Sequence, residues 1–101
     1  MKEITSYKEV SENSNGASVK DFIGIPCVEK NKVLAYFEKY AEFYTILTCP
    51  ATDFVTGETI NESIKCFEDG EYYWTNQEIY LFKKYDLKLN DDFIEYVLNH
   101  S

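Results

Sequence analysis

The sequence predicts a small α+β domain, because apolar stripes of helical period alternate with short β-prone runs and the runs are bounded by turn signals. With 101 residues, of which 45 % are hydrophobic and 17 % aromatic, the chain has material for one core. No internal repeat and no second domain is evident. The chain divides into a flexible N-terminal arm, residues 1–20, and a single globular domain, residues 21–101. The expected architecture is one central helix, a small antiparallel sheet including a hairpin at Asp69-Gly70, and two short C-terminal helices.

The arm is assigned from residues 11–18, SENSNGAS, which are polar, small and aperiodic and cannot offset the entropy of ordering by burying apolar surface. Phe22 to Pro26 begins the core in an extended form, since Pro26 disfavours helical geometry at Ile25. Val33, Tyr36, Phe37, Tyr40, Ala41 and Tyr44 recur at three- and four-residue spacing and predict a helix over 31–44, with Asn31 as N-cap.

Residues 45–49, TILTC, are rich in β-branched side chains and end at Pro50, which predicts a short strand. A turn follows at Thr56-Gly57. Asp69-Gly70 separates two β-prone runs and predicts a hairpin with strands at 63–67 and 71–74, both turn residues taking positive φ. Thr75 with Glu78 three residues later matches a capping box, so a helix starts at Asn76 and ends near Asp86, with Lys83 and Lys84 in its last turn. Asn90 followed by Asp91 and Asp92 starts a last helix over 91–98, with Phe93, Ile94, Val97 and Leu98 as its apolar stripe.

The formal charge of -8 is concentrated toward the C-terminus: residues 1–20 sum to zero, 21–50 to -1 and 51–101 to -7. Such a field repels phosphate backbones and anionic lipid and speeds encounter with cations, so direct nucleic-acid and membrane binding are disfavoured. All ten basic residues are lysine, which leaves no guanidinium to clamp an anion in bidentate fashion. Nothing at the start of the chain leads into a secretory hydrophobic segment, and cytoplasmic residence is expected. Cys27, Cys49 and Cys66 are expected to be thiols, with Cys49 and Cys66 behaving as small buried hydrophobes.

No catalytic residue, metal ligand or cofactor site is expected. The sole histidine, His100, lies at a chain end where fraying is usual and is a poor base for a serine or cysteine nucleophile. The three cysteines and His100 lack the close pairs that structural zinc uses. Among eighteen acids some carboxylate pairs arise by chance, and the four glycines form no phosphate loop.

Function is therefore sought in binding. Turns and helix starts are exposed, which singles out Asp69, Glu71, Asp86, Asp91, Asp92 and Glu95, with Tyr72 as the aromatic anchor if Tyr73 is the residue that faces the core. Opposite alternation, with Trp74 buried, fits the sequence equally well. The same acids also serve as helix caps and keep the surface soluble.

The stretches Asp69-Gly70-Glu71-Tyr72-Tyr73-Trp74-Thr75, Ile79 to Tyr85 and Asp92-Phe93-Ile94-Glu95, about the last third of the chain, resemble small acidic bacterial immunity proteins of contact-dependent inhibition and related polymorphic toxin systems. The resemblance implies a cytosolic protein that neutralises a cationic toxin domain, often a nuclease, by covering its active or essential surface. It brings no catalytic or ligand motif. Two other classes remain open: an acidic nucleic-acid mimic from a phage or mobile element, and a small-molecule enzyme, which would need a deep pocket with convergent polar groups.

Overall fold

The computed structural model describes residues 2–11, 14, 16–42 and 44–100. It is a small α+β domain built in the order β1 (Lys2–Glu3), a 3₁₀ turn (Val19–Asp21), α1 (Lys30–Lys39), β2 (Tyr44–Thr52), β3 (Thr59–Glu68), β4 (Tyr72–Thr75), α2 (Asn76–Tyr85) and α3 (Asp91–His100). The sheet order is β1-β4-β3-β2, with β1 parallel to β4 and the other pairs antiparallel.

The main core lies where one face of the sheet meets α1, α3 and part of α2. Strand alternation sends Tyr72 and Trp74 to that face and Tyr73 to the other. Trp74 is fully buried among Phe37, at 5.3 Å between ring centroids, Phe67, stacked at 6.5 Å, and Phe93, at 6.1 Å. Its Nε1–H finds no acceptor among the described residues. A second cluster, Tyr7, Val19, Leu81 and Leu87, fills the opposite side of α2. The amphipathic α2 thus divides its buried residues, giving Phe82 to the first cluster and Leu81 to the second.

Several described residues among the first twenty are built into the domain. Lys2–Glu3 pairs in register with Tyr72 and Tyr73, Lys2 N donates to Glu71 O at 2.9 Å, and Asn90 N donates to Ile4 O at 2.8 Å. Ile4, Thr5 and Val19 are fully buried. A single isoleucine among polar neighbours carries no periodic signal, so this long-range pairing is invisible to pattern reading. Of the polar run 11–18, Glu12, Asn13 and Asn15 lie outside the described residues.

Several boundaries differ from expectation. The first helix stops at Lys39 because Tyr44 belongs to β2, where it pairs with Phe67 and lies 5.9 Å from its ring. Its N-cap is Glu29, without a side-chain bond, not Asn31. Instead Lys30 fastens the helix start to the end of α2, donating to Lys83 O at 3.2 Å and meeting Asp86 at 2.7 Å. No strand forms at 22–26, although Gly24 N and Ile25 N donate to Tyr85 O and Asp86 O.

β2 continues through Pro50, which an edge strand tolerates because its missing amide interrupts no ladder on the open side; register shifts flank it. The hairpin occurs at the expected place, but its turn is shifted by one residue. Asp69 N donates to Tyr72 O, leaving Gly70 and Glu71 as the central pair, and Gly70 alone takes positive φ, 96°. Asp69 instead braces the turn with its side chain.

The α2 start follows the capping pattern in one direction: Glu78 Oε1 accepts from Thr75 N at 3.1 Å, while Thr75 Oγ1 falls outside hydrogen-bond geometry to the Glu78 amide. α3 runs on through His100, whose ring stacks on Tyr96 at 4.1 Å, and Leu98 is solvent-facing. The three cysteines are thiols, yet Cys49 is exposed because it sits on the edge strand, and Cys66 is half-buried.

Candidate functional site

The hairpin end of the sheet, where β1 and β4 meet the start of α3, gathers part of the acidic set. Asp69 is its structural hub. Its Oδ1 accepts from Glu71 N at 2.8 Å and Tyr72 N at 2.6 Å, and its Oδ2 accepts from the Tyr36 hydroxyl of α1. Burial and this carboxylate both push the Tyr36 hydroxyl far above the ordinary tyrosine range. Asp69 is therefore spent on holding the turn to α1, leaving little of it for a partner.

Glu71 is exposed at the turn, and Asp92 is exposed in the first turn of α3. Both act on the Tyr72 hydroxyl, whose proton is held above the usual range first by burial and then by the fields of Asp92, Glu71, Tyr96 and Asp69. The geometry thus brings Asp69, Glu71 and Asp92 together. Tyr72 itself is only 2 % exposed, packed 5.1 Å from Phe93 and 4.9 Å from Tyr96, so it is a core residue and not an exposed anchor. Lys2 Nζ sits 5.6 Å over its ring and places a cation at this acidic end.

Asp91 and Glu95 extend the exposed acids along α3. Asp91 meets Lys88 at 2.9 Å with its side chain 93 % exposed, a surface pair of small energetic weight. Asp86 is not part of the group. It closes α2 in the left-handed conformation, φ 53°, and is taken up by Lys30.

The aromatic that pattern reading missed is Tyr73. It is 38 % exposed on the face opposite the core, opposite Glu68 on β3 and Glu3 on β1. Fixing Trp74 as a core residue would have identified it, since neighbouring positions in a strand face opposite ways.

Beneath that face lies a buried carboxyl. Glu78 is 5 % exposed; Thr5 Oγ1 donates to its Oε2 at 2.6 Å, and no cation faces it among the described contacts. Burial pushes it up from 4.5 to about 7, the hydrogen bonds from Thr5 and Thr75 lower it in part, and Glu3 raises it further. The Cys66 thiol is also held up, by burial and by Glu78. Two other carboxylates are tied down locally. Burial pushes Asp53 and Glu9 up, but hydrogen bonds outweigh it and hold both below their ordinary values: Tyr85, Tyr80 and backbone amides for Asp53, Ser18 and Val19 N for Glu9.

Among the described residues no group of three or more His, Cys, Asp or Glu is placed to hold a metal ion. A groove of about 330 Å³ opens between α1, α2 and β3, with Phe37, Phe67, Ile79, Glu38, Lys65 and Lys83 on its walls. No helix among the described residues is long and apolar enough to cross a membrane. Compared with protein-family models, with curated proteins and with solved structures, the chain matches none of them.

Proposed function

We propose that this protein is a cytoplasmic, non-catalytic inhibitor that works by binding another protein, an immunity protein that covers the active or essential surface of a cationic toxin domain. The observation that carries this reading is the acidic end formed by Glu71 and Asp92, continued along α3 by Asp91 and Glu95, on a chain of net charge -8. Carboxylates held on a rigid hairpin and a helix start present fixed negative charge at little entropic cost on binding. Their field accelerates encounter with a basic partner, which matters where inhibition must precede damage.

Tyr73, bordered in the sheet by Glu3 and Glu68, adds an aromatic of the kind that anchors interfaces. No cofactor or metal is part of this function, and neither nucleic acid nor membrane is its target. The test is co-expression with the product of the gene immediately upstream. Inhibition requires that product to arrest growth alone and to be harmless with this chain present. A product that is harmless alone, or equally toxic with and without this chain, would overturn the immunity reading.

A further inference from the structure

We infer that β1 is a pH-sensitive strap: when the buried Glu78 carboxyl loses its proton, residues 2–5 lift off the sheet and let water reach it. Glu78 stands in the first turn of α2 and is 5 % exposed. Its Oε2 accepts from Thr5 Oγ1 at 2.6 Å, and its Oε1 accepts from Thr75 N, at the end of β4, at 3.1 Å. Thr5 lies two positions beyond β1 and is itself fully buried, so the N-terminal segment forms part of the cover over this carboxyl. Among the described residues, the charged or titratable groups acting on Glu78 are Glu3 on β1 and the Cys66 thiol on β3, and neither is a cation. A carboxylate created there has a like charge for a neighbour and only two hydrogen bonds, and access to water is what stabilises it.

Of the elements around Glu78, β1 is the one that can leave. β3 and β4 are inner strands of the order β1-β4-β3-β2, each with a neighbour on both sides, whereas β1 is an edge strand of two residues. α2 cannot move without opening both core clusters, since Phe82 belongs to one and Leu81 to the other. The strap is held by its short ladder, by Lys2 N to Glu71 O at 2.9 Å, by Asn90 N to Ile4 O at 2.8 Å, by Asn90 Nδ2 to Glu3 O at 3.3 Å and by the buried Ile4 side chain. A short edge element of this kind opens at lower free energy than the sheet it borders. Its release carries Glu3 away from Glu78 and from Tyr73 and bares the edge of β4. The strap thus borders the acidic end, yet its opening does not depend on what that end binds.

Amide hydrogen exchange of the full chain, followed by NMR and corrected for the intrinsic rate at each pH, reads the opening at Lys2 N and Asn90 N, the two amides that bond across the strap boundary. Glu78 titrates at about 7 in place of 4.5, so an opening that hydrates it becomes about seventyfold more frequent between pH 5 and pH 8. The expected result is that rise in the wild-type chain, with both amides exchanging well ahead of those in the β3–β4 ladder, and a flat profile in Glu78→Gln. Global unfolding hydrates Glu78 as well, so strap amides that exchange no faster than the β3–β4 ladder would overturn the proposal. An opening constant independent of pH would overturn it too, and both of these readings are made on the wild-type chain without the variant. A rise of the same size in Glu78→Gln would be equally fatal, because it would assign the opening to another group.

Discussion

Replacing Glu78 by glutamine should stabilise the protein at neutral and alkaline pH and leave it unchanged in acid. The carboxyl is buried with hydrogen bonds from Thr5 and Thr75 but no cation, and it titrates at about 7 instead of 4.5. Below about pH 4.5 the group is protonated in folded and unfolded chains alike and contributes nothing to the pH dependence. As pH rises from there to about 7, the unfolded chain ionises while the folded chain keeps its proton, so stability falls. Above pH 7 the loss levels off at about 3 kcal/mol, from about 1.4 kcal/mol per pH unit. Glutamine keeps an oxygen for the Thr75 amide, and its amide nitrogen can donate to Thr5 Oγ1, which removes the ionisation without emptying the site. Glu9 and Asp53, whose values are lowered, act with opposite sign and only below about pH 4.5, so they do not mask the effect between pH 5 and 8. Urea unfolding followed by circular dichroism at pH 5 and pH 8 measures it. At pH 8 the Glu78→Gln midpoint should lie about 1–3 M higher, for slopes of about 1–3 kcal/mol/M, and at pH 5, where the penalty is only about 0.8 kcal/mol, the gap should shrink to about 0.3–0.8 M. Equal midpoints at pH 8, or a variant destabilised at both values, would refute the reasoning.

Other variants probe the frame. Asp69→Ala strips three donors, Glu71 N, Tyr72 N and the Tyr36 hydroxyl, and should cost on the order of 2 kcal/mol or more in urea unfolding; a loss below about 0.5 would contradict the hub role. Trp74→Ala should cost about 3–5 kcal/mol by opening the core. Trp74→Phe should cost clearly less in the same assay, because it keeps an aromatic ring there while deleting a buried N–H that has no acceptor among the described residues. Asp86→Gly should be near neutral, since relief of the left-handed backbone offsets a half-exposed ion pair with Lys30, and a large loss would show that pair to be stronger than its exposure allows.

Where local chemistry decides structure, the sequence was readable. Thr75 with Glu78 marked the start of α2, Asn90 with Asp91 and Asp92 marked α3, and Gly70 marked the hairpin. Where the decision is tertiary, it was not. Alternation shows that Tyr72 and Trp74 share a face but not which face is buried; the packing of Phe37, Phe93 and Tyr96 settles that, and it turns the proposed anchor into core. β1 pairs with a strand some 70 positions away through two residues, a contact with no local signature. Pro50 suggested a strand end because a central strand would forbid it, and only the sheet order reveals an edge. Of the acids proposed for binding, Asp69 and Asp86 proved to be engaged internally, since a carboxylate near a turn is as apt to cap the backbone as to face solvent.

The central claim is that the acidic end of the hairpin and α3 receives a cationic partner. It is tested most directly by the association rate of the proposed toxin partner with Glu71→Lys/Asp92→Lys, compared with the wild-type chain across a salt series. The two reversals move the net charge from -8 to -4 and fall on exposed side chains that leave Asp69 and Tyr72 in place. Association slowed by about tenfold or more at low salt, with a flatter salt dependence and unchanged circular dichroism, is the predicted result. An unchanged rate with an unchanged salt dependence would contradict it.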